Sequence, residues 1–488
     1  MSELPSSSVD LEVQKRMSGA GMLRRSLNLL YVYAIATGAI FTFMAYWDGM
    51  FLTATGPATF LGFAIMTLLC IPMALVYCEL SAMLPSCGVE TVYGTVGLNK
   101  HFGFWASWLI LAAWLAVPPA GMMGIIDWIN YAFFGGQMSY TLIVVIAAVV
   151  LTLYFIVSLL NIEISGVAST VMLFLAIGGC IVTGIVFLTS DAWSWSNFVP
   201  FWRTAMGGGG ESGFGGTWGM LIGLSLLITP YFGFEVVPRM VEEGTFPIKD
   251  MNKAIWGSVV TCGIIYVWYY FALAGMAPWE VLTEGGTAPP FVTLKAIARS
   301  LGETGGWRVY SLFIGVTCVL LPIALSILGF WISGVRMLYA MGRNNFLPKA
   351  FARTNRFGQP VWPNIIIWWI SLAALIVMTA STYLQEFYCL MAFACAASYA
   401  IIMASAIRMA VKYPHWPRPY KLWGGQAMRI LGLVIAVVIA YFTTLGQPGW
   451  RQFALYLGLG GLLWLWMIVR KWPRERVWME TPEGVKEY

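Results

Sequence analysis

Long apolar stretches recur along almost the whole chain and are separated by short polar segments. Most hold about 20 residues or more, the helix length needed to cross the ~30 Å hydrocarbon core of a bilayer. Because no soluble fold could bury so much apolar surface, the pattern predicts an all-α integral membrane protein with twelve transmembrane helices. The predicted spans are residues 28–54, 57–83, 104–134, 139–160, 166–189, 216–240, 254–277, 308–342, 364–383, 386–410, 428–446 and 452–470.

The segments between the predicted spans are too short to form a large soluble domain. The longest are residues 190–215, 278–307 and 343–363. Residues 1–20 are polar and lack the hydrophobic core of a cleaved signal peptide, so the first apolar stretch is interpreted as a membrane span. The composition agrees with this picture, since 59% of the residues are hydrophobic and only 10% are charged.

Lysine and arginine residues are distributed unequally between the two sets of alternating loops. Of the 28, 23 lie in the termini and the even-numbered loops, and five lie in the opposite loops. Because cytoplasmic loops are enriched in positive charge, we expect both termini to be cytoplasmic, in a protein of the plasma (inner) membrane. The positively charged residues are explained as topology signals and as contacts with anionic lipid, and they account for the net charge of +6. No nucleic-acid partner is therefore predicted.

The predicted spans contain no histidine, which weighs against an enzyme that works inside the membrane. Both histidines, His101 and His415, fall in predicted loops, and the eight cysteines show no metal-ligand spacing. The glycine run 207–210 is followed by Glu211 and lacks the Gly-Lys-Ser/Thr ending of a phosphate-binding loop. We therefore predict a protein that is not an enzyme and that has no cofactor and no metal site.

Two predicted spans contain signals that interrupt a helix near mid-membrane. The sixth contains Pro230 and Gly233, followed at once by the acidic Glu235, and the first contains the segment 36–42, Ala-Thr-Gly-Ala-Ile-Phe-Thr. Interrupted helices five spans apart are typical of the inverted repeats of secondary transporters, where exposed backbone groups bind substrate. The alternative is that these residues are kinks or close-packing points, which are common in membrane helices.

Several motifs resemble those of the amino acid–polyamine–organocation (APC) transporter superfamily. The resemblance covers the first ten spans and implies a LeuT-like fold, with two inverted five-helix repeats and two peripheral helices. The motifs lie at residues 76–88, 232–235, 242–255, 336–348 and 418–421. The implied units are a cytoplasmic N-terminal tail 1–27, the repeats 28–190 and 191–411, the peripheral helices 412–471 and a cytoplasmic C-terminal tail 472–488.

The resemblance implies that substrate binds between the interrupted spans 1 and 6, with spans 3 and 8 beside them. The corresponding residues of spans 6 and 8 are Tyr231, Phe232, Gly233, Phe234, Glu235 and Trp331. Glu235 resembles an acidic residue that some relatives use for proton sensing or amine binding. Aromatic rings suit a cationic substrate, with an attraction of ~0.5–2 kcal/mol. Trp331 has the alternative of a packing or lipid-interface role, as in any chain this rich in tryptophan.

Span 1 departs from the Gly-Ser-Gly-Ile-Phe pattern of the relatives, whose amides bind a substrate carboxylate. One alignment places Thr37, Gly38 and Ala39 at the site, and a second places Thr42 and Phe43 there. The second would replace both glycines and crowd a carboxylate. An ethanolamine- or choline-type amine therefore stays open beside an amino acid.

Three other acidic residues suggest surface roles from the sequence alone, whereas Glu79 and Glu90, at the cytoplasmic end of span 2, suggest an inner-gate or packing role. Asp48 is about 20 residues along span 1, so we expect it at a solvated end of the helix. Glu242 and Glu243 lie close to Arg239 and Lys249 in the chain, and we expect them to form solvated ion pairs with these residues.

The sequence therefore predicts a secondary active transporter that moves an amino acid or small organic amine by alternating access. A proton, sodium and substrate exchange all remain open as the coupling mode, and the lysine that some relatives carry in span 5 is absent from residues 166–189. The expected partners are the substrate, a coupling H⁺ or Na⁺, and membrane lipid. A channel and a non-transporting membrane sensor are the alternative classes.

Overall fold

The chain folds as a nearly all-helical bundle. The computed structural model describes residues 23–41, 48–202, 217–283, 296, 298, 300, 305–379, 384–446, 449–469 and 477–488. Its helices are α1 (Leu29–Ile40), α2 (Asp48–Thr55), α3 (Thr59–Met83), α4 (Val89–Gly97), α5 (Lys100–Phe134), α6 (Tyr140–Ser158), α7 (Ile162–Leu188), α8 (Thr217–Leu226), α9 (Val236–Arg239), α10 (Met251–Ala274), α11 (Trp279–Thr283), α12 (Gly305–Ile314), α13 (Leu321–Arg343), α14 (Val361–Thr379), α15 (Leu384–Lys412), α16 (Gly425–Leu445) and α17 (Arg451–Val469).

Ten helices of the described chain are long and apolar enough to cross a membrane. Two more apolar helical stretches are shorter and overlap the first and ninth predicted spans. They are α1 (Leu29–Ile40) and the part of α14 at Val361–Ile376. A chain with this many apolar helices is a multi-pass membrane protein. Its outer faces agree, since Val149 and Leu153 of α6 and Leu455 and Leu462 of α17 are exposed where lipid would surround them.

Polar side chains mark the points where several of these apolar helices begin. The side chains of Asn28, Asn99, Ser139 and Asn161 accept hydrogen bonds from the first-turn amides of α1, α5, α6 and α7. A helix N-terminus leaves four amides without intrahelical partners, and Asn and Ser satisfy them well. The local sequence thus marks the start of these four helices.

The helices that surround the candidate site pack around α1. This helix contacts α7, α10 and α13, while α5 packs against α4, α13, α14 and α15. Small residues allow the closest approaches. A Cβ on Gly38 would lie 2.9 Å from Leu325 of α13, and one on Gly329 would lie 2.8 Å from Ala39. Close backbone approach through glycine is a common means of helix association in membranes.

The regular helix stops in the sixth predicted span and resumes about ten residues later. After α8 comes a single 3₁₀ turn, Thr229–Tyr231, then extended backbone at Phe232. Gly233 has a φ of 136°, which side-chain-bearing residues rarely adopt, and α9 follows. Pro230 explains the local start of this irregular segment, because proline has no N–H to donate to the preceding turn.

The C-terminal segment differs from the predicted fold. Instead of helices alone, the chain ends in a two-stranded antiparallel hairpin, β1 (Trp478–Thr481) and β2 (Gly484–Glu487). Glu483 at its turn lies 2.6 Å from the His415 ring and accepts a 2.5 Å bond from Trp416. Hydrogen bonds from Lys486, His415 and Trp416 lower the pKa of Glu483 to about 2. The hairpin is thereby docked on the connection between α15 and α16.

Candidate functional site

The carboxylate of Glu235 lies fully buried just after the irregular segment. Its Oε2 accepts a 3.0 Å bond from the Gly233 amide and a 2.9 Å bond from the Tyr399 hydroxyl of α15. Its Oε1 is buried and has no hydrogen-bond partner among the described residues. A buried carboxylate oxygen without a partner is costly, so this atom is the natural point for a proton or a cationic group to bind.

Aromatic rings enclose this carboxylate on several sides. Phe234 stacks on Tyr399 with ring centroids 5.2 Å apart, and Tyr77 of α3 meets both rings edge-on at 5.3 and 5.8 Å. Phe232 contacts Tyr399 at 6.0 Å. Ring faces carry partial negative charge, so they add to the attraction of the carboxylate for a cation.

Gly233 brings the irregular segment against the C-terminal end of α1. A Cβ at this position would lie 3.0 Å from the Ala39 Cβ and 3.0 Å from the Ile40 amide nitrogen. The Ile40 carbonyl accepts a short hydrogen bond from the Tyr266 hydroxyl of α10. The structure therefore brings the predicted residues Ala39 and Gly233 into direct proximity.

The other predicted residues of span 1 have structural neighbours of their own. Thr37 is buried and its carbonyl lies 3.5 Å from the Cys262 sulfur of α10, while Gly38 packs on Leu325. Thr42 and Phe43, the second alignment, lie outside the described residues. At Gly38, close helix packing is the role that the geometry supports.

Tyr231 and Trp331 are fixed by hydrogen bonds to neighbouring helices. The Tyr231 hydroxyl lies 2.6 Å from the Thr67 hydroxyl and donates a 3.0 Å bond to the Phe63 carbonyl, both on α3. The Trp331 indole N–H donates a 2.8 Å bond to Asn364 of α14. These polar groups are engaged with the protein, so the two residues are more suited to shaping the site than to donating bonds to a substrate.

A buried ion pair that the sequence analysis missed lies close to the Glu235 site. Arg239 of α9 pairs with Glu90 of α4, and neither side chain is exposed. The guanidinium also stacks over Trp114 at 3.7 Å, and the Tyr77 hydroxyl donates a 3.1 Å bond to Glu90. Glu90 acts electrostatically on Glu235. Tyr77 therefore bonds one carboxylate and packs against Tyr399, the tyrosine that bonds the other.

The expected partners of Glu243 and its neighbour were wrong. Glu243 forms a two-pronged ion pair with Arg336 of α13 at 2.9 and 2.8 Å, and Arg336 also bonds Gln359 at 2.7 Å. Both charged side chains of this pair are buried. Arg239, which was expected to pair with Glu242 or Glu243, forms its ion pair with Glu90 instead. Partners distant in the chain are preferred because a buried charge without a partner is costly. An exposed ion pair with a chain neighbour contributes little to stability.

Glu242 is held in the same way by a residue distant in the chain. Arg343 donates to it at 2.6 and 2.7 Å, and the Cys87 amide adds a 2.9 Å bond. Burial opposes ionisation of Glu242, but Arg343 outweighs burial and holds the pKa of this carboxyl below its ordinary value. The pair of Glu242 and Arg343 therefore stabilises the fold at pH values above the ordinary glutamate pKa. This stabilisation is lost as the pH falls through the lowered pKa of Glu242.

The expected solvated position of Asp48 was also wrong. Asp48 begins α2, is fully buried, and accepts bonds of 3.0 and 2.8 Å from the hydroxyls of Tyr269 and Tyr270 on α10. A position about 20 residues along a straight helix would lie near a membrane surface. The described helix α1 ends at Ile40, and Asp48 is the first residue of a separate helix, so its depth does not follow from counting residues along α1.

Comparison with known proteins places residues 27–465 of the chain in one family. A family model described as amino acid permease matches residues 27–465. The methylthioribose transporter of Bacillus subtilis (strain 168) is 23% identical, over 84% of this chain and 86% of its own. The branched-chain amino acid permease BcaP of Lactococcus lactis is 25% identical over 72% and 74%. The gamma-aminobutyric acid permease of Bacillus subtilis is 24% identical over 64% of each.

The fold has a solved counterpart as well. A crystal structure of a histidine-to-alanine mutant of the Eremococcus coleocola manganese transporter matches with a TM-score of 0.55 at 11% identity. The match covers 92% of this chain and 96% of that one. At this identity the likeness concerns the fold alone. The family match over residues 27–465 confirms the resemblance carried by the sequence motifs: the chain belongs to the amino acid permease family of the APC superfamily and is a transporter rather than an enzyme.

Proposed function

We propose that the protein is a secondary active transporter that moves an amino acid or small organic amine across the plasma membrane by alternating access. The observation that carries this proposal is the buried Glu235 carboxylate, whose Oε1 is without a partner among the described residues, beside an irregular backbone segment and an aromatic wall. A charge in this position is expensive in a membrane protein and is retained where ions or substrates pass.

The architecture that suits this function is a pair of inverted repeats, residues 28–190 and 191–411, followed by two peripheral helices. The repeats would contribute one interrupted helix each, at the end of α1 and at Gly233. The contact of Gly233 with Ala39 and Ile40 supports a site where the two interruptions meet. On this scheme α1 and α2 are the halves of the first span, α3 is the second, and α14 with the nine other long apolar segments makes up the remaining ten.

Glu235 is suited to couple transport to a proton or to exchange of one substrate for another. A protonated carboxyl is tolerated in a closed apolar site, whereas an ionised one calls for a cation. Proton binding and substrate binding to this group would therefore compete or alternate as the site opens to each side. Sodium coupling remains the alternative.

The chemistry of the site favours a substrate with an amino or quaternary ammonium head. Glu235 supplies negative charge, and the rings of Phe234, Tyr399 and Tyr77 supply cation-attracting faces. The branched-chain amino acid and gamma-aminobutyric acid permeases among the relatives are named for substrates with an amino group. An ethanolamine- or choline-type amine is the alternative if span 1 offers no carboxylate site.

Competition assays test the substrate class. In proteoliposomes, we expect uptake of a labelled amino acid to be reduced by amines that fit the site and not by acetate or glucose. Methylthioribose is the most informative competitor, because a relative is named for it although it has no amino group. If methylthioribose or acetate competed as well as the amino acids and ethanolamine did, the organic-amine assignment would be wrong.

The same preparation separates the alternative classes. A transporter shows saturable uptake and counterflow, in which an excess of unlabelled substrate inside drives accumulation of label. A channel passes solute without counterflow and without a low saturation limit. A non-transporting sensor would bind substrate but leave the label outside.

Orientation can be tested independently of substrate. We expect both termini to be cytoplasmic, so a membrane-impermeant thiol reagent added to intact cells should not label cysteines introduced at residue 1 or residue 488. Cysteines replacing Arg203 and Glu284 lie in predicted external loops and should be labelled. Permeabilised cells provide the control, in which all four positions react. The reverse pattern in intact cells would contradict the charge-based orientation.

A further inference from the structure

Two buried cysteines from distant parts of the chain lie against each other beside the helix α1. Cys180 belongs to α7, and Cys318 belongs to a π-helical segment, Gly315–Leu320, which joins α12 to α13. Their sulfur atoms are 3.6 Å apart, both side chains are fully buried, and neither forms a disulfide. Neither residue belongs to the Glu235 site.

The surroundings hold the two sulfurs in this arrangement. The hydroxyls of Thr183 and Thr317 lie 3.6 and 3.7 Å from the Cys318 sulfur, so this sulfur has polar neighbours on both helices. A Cβ on Gly179, one residue before Cys180, would collide with the Thr317 side chain. Glycine at this position therefore allows the close approach of α7 to the π segment.

The two sulfur atoms are near each other but are not bonded. A disulfide has a sulfur–sulfur distance of about 2.05 Å and a Cβ–Cβ distance of about 3.5–4.5 Å. The two sulfurs are 3.6 Å apart, so formation of the bond requires them to approach by about 1.6 Å. A π-helical turn is also a less regular backbone than an α-helix and often marks a functional position.

We propose that Cys180 and Cys318 form a dithiol modification site that a thiol-specific two-electron oxidant converts to a disulfide, fixing α7 to the π segment and arresting transport. The arrest is expected from the positions of the two elements, because α7 packs against α1 and the π segment leads directly into α13, which also packs against α1. This second half rests on the proposed alternating-access function, whereas formation of the disulfide does not.

The reaction balances with an azo oxidant such as diamide. One thiol adds across the N=N bond, and the second thiol attacks that sulfur and releases the hydrazine. One S–S bond forms, the two thiol hydrogens end on the nitrogens, and the protein loses two electrons and two protons. A dithiol reductant reverses the step by thiol–disulfide exchange.

The experiment uses the full-length protein in proteoliposomes, treated with diamide, with and without later dithiothreitol. Mass spectrometry of the unreduced digest reports whether the peptides of Cys180 and Cys318 are linked. We expect the linked peptide, a fall in uptake of about tenfold or more, and recovery of uptake with dithiothreitol. The variants Cys180→Ser and Cys318→Ser, nearly equal in size to the natural residues, should transport normally and resist diamide.

Each result bears on a defined part of the proposal. Absence of the linked peptide would overturn the modification site. Equal inhibition of the natural protein and both serine variants would overturn the arrest, because the inhibition would not depend on this pair. A linked peptide with unchanged uptake would overturn the arrest. If the linked peptide forms but the reduced protein takes up no amino acid or amine, the proposed function fails while the dithiol site stands.

Discussion

Replacing Glu235 by glutamine is expected to abolish accumulation of substrate against its gradient while leaving the protein folded. Glutamine keeps the size of the side chain and an oxygen that can accept the bonds from Gly233 and Tyr399. What it removes is the negative charge and the ability to take up a proton. A hydrogen bond to a charged group contributes about 1.5–3 kcal/mol, so we expect the affinity for an amine to fall by about 10- to 100-fold.

Uptake in proteoliposomes with and without an imposed pH gradient measures both effects. The matched control is Glu163→Gln, which removes an exposed carboxylate at the start of α7 and should leave uptake unchanged. A Glu235→Gln variant that still responded to the pH gradient and accumulated substrate normally would exclude Glu235 from coupling.

Breaking the buried pair between Arg239 and Glu90 is expected to produce the largest loss of stability. Both side chains are fully buried, so removing one leaves the other charge without its partner in a medium that solvates it poorly. We expect Glu90→Leu and Arg239→Met each to destabilise the protein by about 3–5 kcal/mol. The double variant should recover much of this loss, because it removes both charges together.

Apparent melting temperatures of the detergent-solubilised variants, read from the loss of the monodisperse chromatographic peak, measure this effect. The control is the pair of Lys253 and Asp250, which lie 2.7 Å apart with the lysine largely exposed. Its removal should shift the melting temperature little, since exposed pairs contribute at most about 1 kcal/mol. Equal shifts for the two pairs would show that the buried pair has no special role.

The parts of the fold that depend on local chemistry could be predicted from the sequence. Apolar length gave the positions of the membrane helices, because a bilayer demands an internally bonded helix of a known length. The Pro230 and Gly233 pair indicated where the sixth span loses regular helix, since each residue restricts the backbone through its own covalent structure. Glu235 could be singled out because an acidic residue within a predicted membrane span is energetically costly and is usually functional.

The parts that depend on long-range packing could not be predicted. The sequence places Asp48 at the end of one long helix. In the structure α1 ends at Ile40, and Asp48 begins a separate helix in which it accepts hydrogen bonds from two tyrosines of α10. Arg239 looks like a loop cation until its partner, 149 residues earlier in the chain, is known. The C-terminal hairpin was missed because it is short and relies on docking to His415 and Trp416 for its stability.

The close approach of Gly233 to Ala39 also limits how the sequence of this protein can change over time. A side chain at position 233 would meet the Ala39 Cβ and the Ile40 backbone at 3.0 Å, and a larger residue at position 39 would meet the irregular segment from the opposite direction. The same alanine faces Gly329, where an added Cβ would lie 2.8 Å from it. Positions 39, 233 and 329 therefore share one small volume. Because two of them are already glycine, room for a side chain at position 233 or 329 can come only from replacement of Ala39 by glycine or from movement of the backbone.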